Sequence, residues 1–310
     1  MDGLILVNKP QGLTSHDVVV EIRKIHNIQK VGHHGTLDPI ATGLIVIAIG
    51  KATRLFPFFS KEDKVYCGEI KFGFATDTYD SAGKPTTPEQ TTFPKKEIVI
   101  QAMKKFEGEI FQTPPPYSAK KFRGKPLYEL ARKNKEFELR PSYVFVHYFL
   151  MTEYNPPLLE FKVHCSSGTY IRSLAHEMGQ NLSCGAHLSK LTRIQIGHFS
   201  LKDSFTLEEI RVLHQENLTE NYLLPLETLL SDLPKIILNE RGIALVRNGN
   251  IIFPGDILKI IADPSINTAL SEQKGLSFRM FSLEGKFVAL AKKAADKNCF
   301  HPFLVIDPRK

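Results

Sequence analysis

Apolar positions along the chain fall into several short, distinct rhythms. GLILVN (3–8) is almost continuously apolar and stops at Lys9-Pro10 and Gly12, the pattern of a short buried strand. In SHDVVVEIRKIH (15–26), Val18, Val19, Ile22 and Ile25 recur at helical spacing, with Ser15 as the expected N-cap. The stretch 43–50 predicts a buried strand, 65–74 a half-buried alternating one, and 97–108 a helix closed by Gly108. A strand over 159–164 precedes TYIRSLAHEMGQNL (169–182), a helix whose stripe is Ile171, Leu174, Ala175, Met178 and Leu182. A strand over 191–199 follows, then a short helix opened by the capping-box spacing of Thr206 and Glu209.

Strands and helices mix here without a regular βαβ beat. That predicts an α+β domain on a mostly antiparallel mixed sheet rather than a doubly wound one. After about residue 230 the texture changes. ILNERGIALVRNGN predicts a short helix ending near Gly249, followed by short strands around Phe253 and over 257–261, 277–282, 287–291 and 303–306. Glycines 255, 275 and 285 mark tight turns between them, so a small C-terminal β-barrel is expected. The expected division is 1–230 and 231–310.

Composition narrows the class. Hydrophobic residues make up 42% and charged residues 24% of 310, a globular profile, and the longest clean apolar run (44–49) is far too short to span a bilayer. The N-terminus begins directly with a strand-like segment, without the basic region and cleavage site of a secretory leader. Cysteines 67, 165, 184 and 299 are scattered with no C-x-x-C pair, which fits a reduced, cytoplasmic protein. A net charge of +7 is a weak pointer by itself; its distribution says more. YSAKKFRGKPLYELARKNK (117–135) carries seven cations against Glu129, interleaved with Tyr117, Phe122 and Tyr128. Such a stretch suits nucleic acid, cations on phosphates and rings on bases, or else it is a solvated helix with a basic face.

Common catalytic motifs fail. Gly50-Lys51-Ala52 lacks the upstream glycine and the hydroxyl residue of a phosphate loop, and His176-Glu177 is followed by Gln180 where a zinc helix needs histidine. KVGHHGTLDPIATGLIVIAIG (30–50) is different: it sets a lone acid, Asp38, among turn residues before an apolar strand. Asp38 can be read as an Asx-turn cap, as a metal ligand with His33 and His34, or as a reactive group. Pro39 biases it away from the helical region, and the glycines let the backbone approach a ligand closely. Arg172 shifts the balance. It lies in the first turn of the 169–182 helix, off the apolar stripe, where the helix end is already positive, so it needs an anion nearby.

NKPQGLTS (8–15), KVGHHGTLDPIATGL (30–44), YCGEIKFGFATDTYD (66–80), PPPYSAKKFRG (114–124) and SGTYIRSL (167–174) resemble, in order, the motifs of the TruB family of tRNA pseudouridine-55 synthases. The resemblance covers most of residues 1–200; the C-terminal segment is similar, more loosely, to a PUA-like RNA-binding domain. It implies the pseudouridine synthase fold and cofactor-free, metal-free isomerisation of a uridine flipped out of the tRNA T-loop. It further implies a cytoplasmic monomer with no membrane partner. By the same resemblance Asp38 is the nucleophile, Arg172 its cationic partner, and Tyr66 the ring that stacks on the target base. Tyr170 and Leu191 line the pocket, and His33 fills the space left by the flipped nucleotide. Lys9 and Pro10 buttress the site, with Lys9 counted among the substrate contacts. Lys120, Lys121 and Arg123 contact T-arm phosphates from an insertion over about 115–145. His34 departs from the usual small residue and is expected to face solvent. The competing readings are a non-catalytic RNA-binding or RNA-folding factor and a metal-dependent hydrolase on His33, His34 and Asp38.

Overall fold

The near-continuous apolar run at the N-terminus forms β1 (Gly3–Lys9), with Leu4, Ile5 and Val7 fully buried. These and the following details come from a computed structural model that describes residues 1–59, 61–118, 121–122, 125–126, 139–261, 277–294 and 298–306. Lys120 and Arg123 lie outside the described residues, and only the backbone of Lys121 is described. Helix α1 (Ser15–His26) buries Val18, Val19 and Ile22. Its cap is Thr14, not Ser15: Thr14 and Asp17 form the reciprocal capping box. Ser15 turns inward instead, accepting from the Leu37 N–H at 2.8 Å and donating to its carbonyl at 3.1 Å.

β2 (Val31–His34) pairs antiparallel with β3 (Thr42–Ile49), so half of the turn-rich stretch before Asp38 is strand. β4 (Lys64–Phe72) follows, then α2 (Lys96–Lys104) and β5 (Gly108–Gln112). Gly108, expected to end the helix, opens the strand at φ +88°. The 14-residue β6 (Ser142–Asn155) was not anticipated, because Tyr143, Phe145 and Leu150 keep its exposed face apolar and hide the alternation. β7 (Leu158–Cys165), α3 (Ile171–Asn181) and β8 (Ala186–Ile196) complete the frame. α4 (Leu207–Gln215) starts at the Thr206–Glu209 capping box, as its spacing predicts.

Strands neighbour one another in the order β1-β3-β8-β4-β7-β6-β5, with β2 beside β3. β3 and β8 run parallel, while β2–β3, β4–β8, β4–β7, β6–β7 and β5–β6 are antiparallel. The sheet is therefore mixed and mostly antiparallel, as expected. Its centre matters for the site, because β3, β8 and β4 bring the Asp38 loop, Leu191 with Arg193, and Tyr66 to one place.

The chain divides into two compact units: Ile5–Ile49 with Leu55–Tyr222, and Leu223–Lys310 joined by Met1–Leu4 and Gly50–Arg54. Within the second, β9 (Lys235–Leu238), α5 (Glu240–Arg247), β10 (Ile257–Ile261), β11 (Ser277–Phe281), β12 (Phe287–Lys293) and β13 (Phe300–Val305) form a sheet in the order β10-β9-β11-β12-β13. Ile236, Leu238, Val246, Met280 and Ala289 fill its core. Among the described residues this sheet is an open five-strand path, and no closed barrel is seen. No helix among the described residues is long and apolar enough to cross a membrane.

Candidate active site

Asp38 sits in the loop from β2 to β3, and its predecessor Leu37 is buried and pinned by the Ser15 hydroxyl from α1. Across the cleft, α3 begins at Ile171, and the side chain of Gln112 fastens that start by exchanging hydrogen bonds with the Tyr170 main chain at 2.8 and 3.0 Å. Arg172 therefore projects from a fixed first turn. Its Nε lies 2.9 Å from Asp38 Oδ2, and its side chain is only 6% exposed. Nη1 lies 3.3 Å from Asp80 Oδ2 and donates to the Thr78 carbonyl at 3.0 Å; Nη2 donates to the Tyr117 carbonyl at 2.8 Å. Every edge of the guanidinium is engaged, and the anion that its helix position called for is present twice.

Burial raises the Asp38 carboxyl above the ordinary aspartate value; Arg172 opposes the shift most, Asp80 adds to it and Lys9 opposes it. Deep placement and access coexist, since the Asp38 side chain still exposes 37% of its surface to the cleft. A unit charge pair at this separation is worth several kcal/mol at an effective dielectric of about 20, so Arg172 favours the ionised form of Asp38 while burial works against it.

The cleft has a volume of about 280 Å³. That is just below the roughly 300–1,000 Å³ of ordinary ligand sites, suited to one base rather than an extended chain. Asp38, Tyr66, Tyr170, Arg172, Leu191 and Arg193 all line it, with His34 and Lys64. Tyr66 stands opposite Arg193 in the β4–β8 ladder and is buried. Burial pushes its phenol up, with Arg193 pulling the other way. The site thus gathers a carboxylate held by a guanidinium, a protonated phenol and two apolar or aromatic walls, facing a base-sized space.

Arg193 is the largest feature that the sequence reading missed. It is 1% exposed, and its guanidinium donates to the carbonyls of Leu44 (2.8 Å), Gly35 (2.8 Å) and Thr36 (3.4 Å). Two of the glycines around Asp38, Gly35 and Gly43, also serve this packing. A Cβ on Gly43, whose φ is +99°, would lie 2.4 Å from the Arg193 carbonyl oxygen, and one on Gly35 would lie 3.3 Å from its Nη1. Leu191 and Arg193 share a strand face two residues apart, and an arginine in phase with an inward leucine was the available signal. Asp80 was also missed, although it lies inside a motif stretch. Lys64, on the cleft wall, donates to the Glu62 carbonyl at 2.8 Å and is pushed down to about 8 by burial.

Two expectations change. Lys9 is fully buried and donates to the carbonyls of Pro10 (2.9 Å) and Leu13 (2.7 Å), lowered to about 8 by burial with Asp38 resisting. That geometry braces the turn behind Asp38 rather than reaching into the cleft. His34, expected in solvent, lies on the cleft wall with its ring 5.7 Å from Phe56 and burial holding it down to about 4. His33, opposite Ile47 in the β2–β3 ladder, is half-buried. With Asp38 Oδ2 paired to Arg172 and His34 packed on Phe56, the three side chains do not converge as metal ligands.

Comparison with known proteins agrees with this fold. A chain in a solved H/ACA RNP bound to a substrate RNA containing 2′-deoxyuridine superposes with a TM-score of 0.71 at 27% identity, covering 99% of this chain and 86% of that one. The archaeal box H/ACA sRNP Nop10–Cbf5 complex gives 0.71 at 26%, covering 99% and 87%. The tRNA pseudouridine synthase B of Dehalococcoides mccartyi is 38% identical over 302 residues, 97% of this chain and 95% of that protein. That of Solibacter usitatus is 44% identical over 249 residues, 80% and 85%. Residues 23–171 match the N-terminal domain of the TruB family pseudouridylate synthases, and 172–231 match the tRNA pseudouridylate synthase B C-terminal domain. The fold is that of the pseudouridine synthase class. Within that class, the chain belongs to the TruB family.

Proposed function

We propose that this protein isomerises uridine 55 in the T-loop of tRNA to pseudouridine, with Asp38 as the nucleophile. The observation that carries the reading is the Asp38–Arg172 pair at 2.9 Å beside a base-sized cleft. The reaction breaks the N1–C1′ bond and forms C5–C1′; the C5 proton is released and N1 takes one up, so neither redox change nor cofactor is needed. An ionised carboxylate can add to C6 of the uracil, attack C1′, or assist glycal formation, and Arg172 holds Asp38 in that form. The target base must be everted to reach the cleft. Tyr66 would stack on it as a neutral phenol. Tyr170 and Leu191 would bound the base, and His33 would fill the gap left in the loop. Lys120, Lys121 and Arg123 would hold T-arm phosphates, and the C-terminal unit would act as a PUA-like RNA-binding domain of a cytoplasmic monomer.

The test is to incubate the protein with an unmodified tRNA transcript and map the modified nucleotide. Pseudouridine at position 55 alone is the expected product. Conversion at another position, or binding without conversion, would overturn the assignment.

A further inference from the structure

A second group of reactive side chains converges on the three strands β4, β7 and β6, apart from the residues that line the Asp38 cleft. His164 belongs to the middle strand, β7. Asp63 immediately precedes β4, and its carbonyl accepts from the Gly197 N–H at 2.8 Å, which fixes its backbone. His147 sits where the β6–β7 register shifts between Val146 and Tyr148. Such a bulge re-aims a side chain, and here it lays the His147 ring over His164, with centroids 4.2 Å apart and planes 25° from parallel. Both Nε2 atoms turn to the same oxygen, Asp63 Oδ2: His147 at 2.7 Å and His164 at 3.7 Å.

An ordinary Asp–His hydrogen bond accounts for only the first of these contacts, because 3.7 Å is too long for the second. Two imidazoles aimed at one carboxylate oxygen is instead a ligand arrangement. In a tetrahedral site with bonds of about 2.0–2.1 Å, ligand atoms stand about 3.3 Å apart. The observed 2.7 and 3.7 Å bracket that spacing, and all three ligand atoms lie within 4.8 Å of one another. The side chains are 31–39% exposed, so an ion can arrive from solvent. A groove of about 420 Å³ beside Asp63 and His164 leaves room for water at the remaining positions, and its other charged residues, Lys61 and Glu62, offset each other. Two nitrogen donors disfavour magnesium and calcium, which prefer all-oxygen shells.

We propose that Asp63, His147 and His164 bind one borderline divalent transition-metal ion of the Zn²⁺ type, which ties the start of β4 to β6 and β7. The ion has no part in the isomerisation.

The test uses the full-length protein, stripped with chelator and titrated with Co²⁺, whose visible d–d bands report coordination by nitrogen and oxygen. One equivalent should bind with bands of tetrahedral intensity, Zn²⁺ should displace it, and Zn²⁺ should raise the melting temperature. The His147→Ala/His164→Ala double variant should lose both the bands and the shift. Asp63→Asn, which leaves His147 a hydrogen-bond partner and so is the safer variant for folding, should weaken Co²⁺ binding at least about tenfold. Absence of bands in the wild type, bands that survive in the double variant, or an Asp63→Asn affinity equal to wild type would each overturn the proposal.

Discussion

Arg172 and Arg193 line the same cleft, both nearly buried, yet they are held by different chemistry. Arg172 lies between two carboxylates, Asp38 and Asp80, and two carbonyls complete its bonding. Arg193 is wrapped by the carbonyls of Gly35, Thr36 and Leu44, and burial pulls it below the usual arginine value. Dipoles of carbonyls satisfy hydrogen bonds without cancelling a full charge. The first arginine is therefore matched to an ionised partner, and the second holds the Asp38 loop together while leaving the cleft electropositive. Lys64 on the same wall adds to that surplus. Under the proposed function, such a positive surround would draw in a phosphate-flanked nucleotide.

Substitutions at the two arginines test this contrast most sharply. Arg172→Met removes the main influence opposing the rise of the Asp38 pKa and leaves two carboxylates facing each other. Turnover should fall roughly 100- to 1,000-fold, as for loss of a preorganised electrostatic group. Since the proposed role of Asp38 requires its ionised form, the acid limb of the rate–pH profile should also move to higher pH; an unmoved limb would mean that Arg172 does not set the charge on Asp38. Arg193→Met should act on stability instead. Orphaning the Leu44 and Gly35 carbonyls should cost about 3 kcal/mol, while the folded fraction keeps its rate within roughly tenfold. A normal melting temperature with a collapsed rate would reverse the contrast.

Smaller effects lie further from the cleft. Replacing Lys120, Lys121 and Arg123 together with alanine should weaken tRNA binding and reduce its salt slope by about 2–3 at an unchanged saturated rate. An unaltered slope would remove those residues from the phosphate contacts. His26 is buried, neither of its ring nitrogens finds a hydrogen-bond partner among the described residues, and burial holds it down to about 4. The unfolded chain therefore binds more protons as pH falls from about 6.5 to 4, and stability should drop by about 2 kcal/mol by pH 5. His26→Phe, placed against His214 and Tyr222, should shrink that acid loss of melting temperature. Equal losses in both proteins would contradict it.

Asp38 and Arg172 were legible in the sequence because each was locally anomalous, an acid in a turn before an apolar strand and a cation at the positive end of a helix. Tyr66, Tyr170 and Leu191 came from the motif resemblance, since an aromatic or leucine in a strand looks like core. Arg193 and Asp80 stayed hidden because their meaning is tertiary: one is defined by carbonyls 149 to 158 residues away, the other by a guanidinium 92 residues away. Long periodic elements such as α1 and β3 were found within one residue of either end. β6 was lost because apolar side chains on its open face erased the period of two, and β9 was absorbed into the helix that follows it.

The most direct measurement is single-turnover tritium release from C5-labelled T-arm RNA by the wild type and by Asp38→Asn, a nearly isosteric change that leaves Arg172 its Asp80 contact. Release by the variant should fall at least about ten-thousandfold with RNA affinity nearly unchanged, the pattern for loss of a nucleophile. Undiminished release would show that the carboxylate beside Arg172 is not the reacting group.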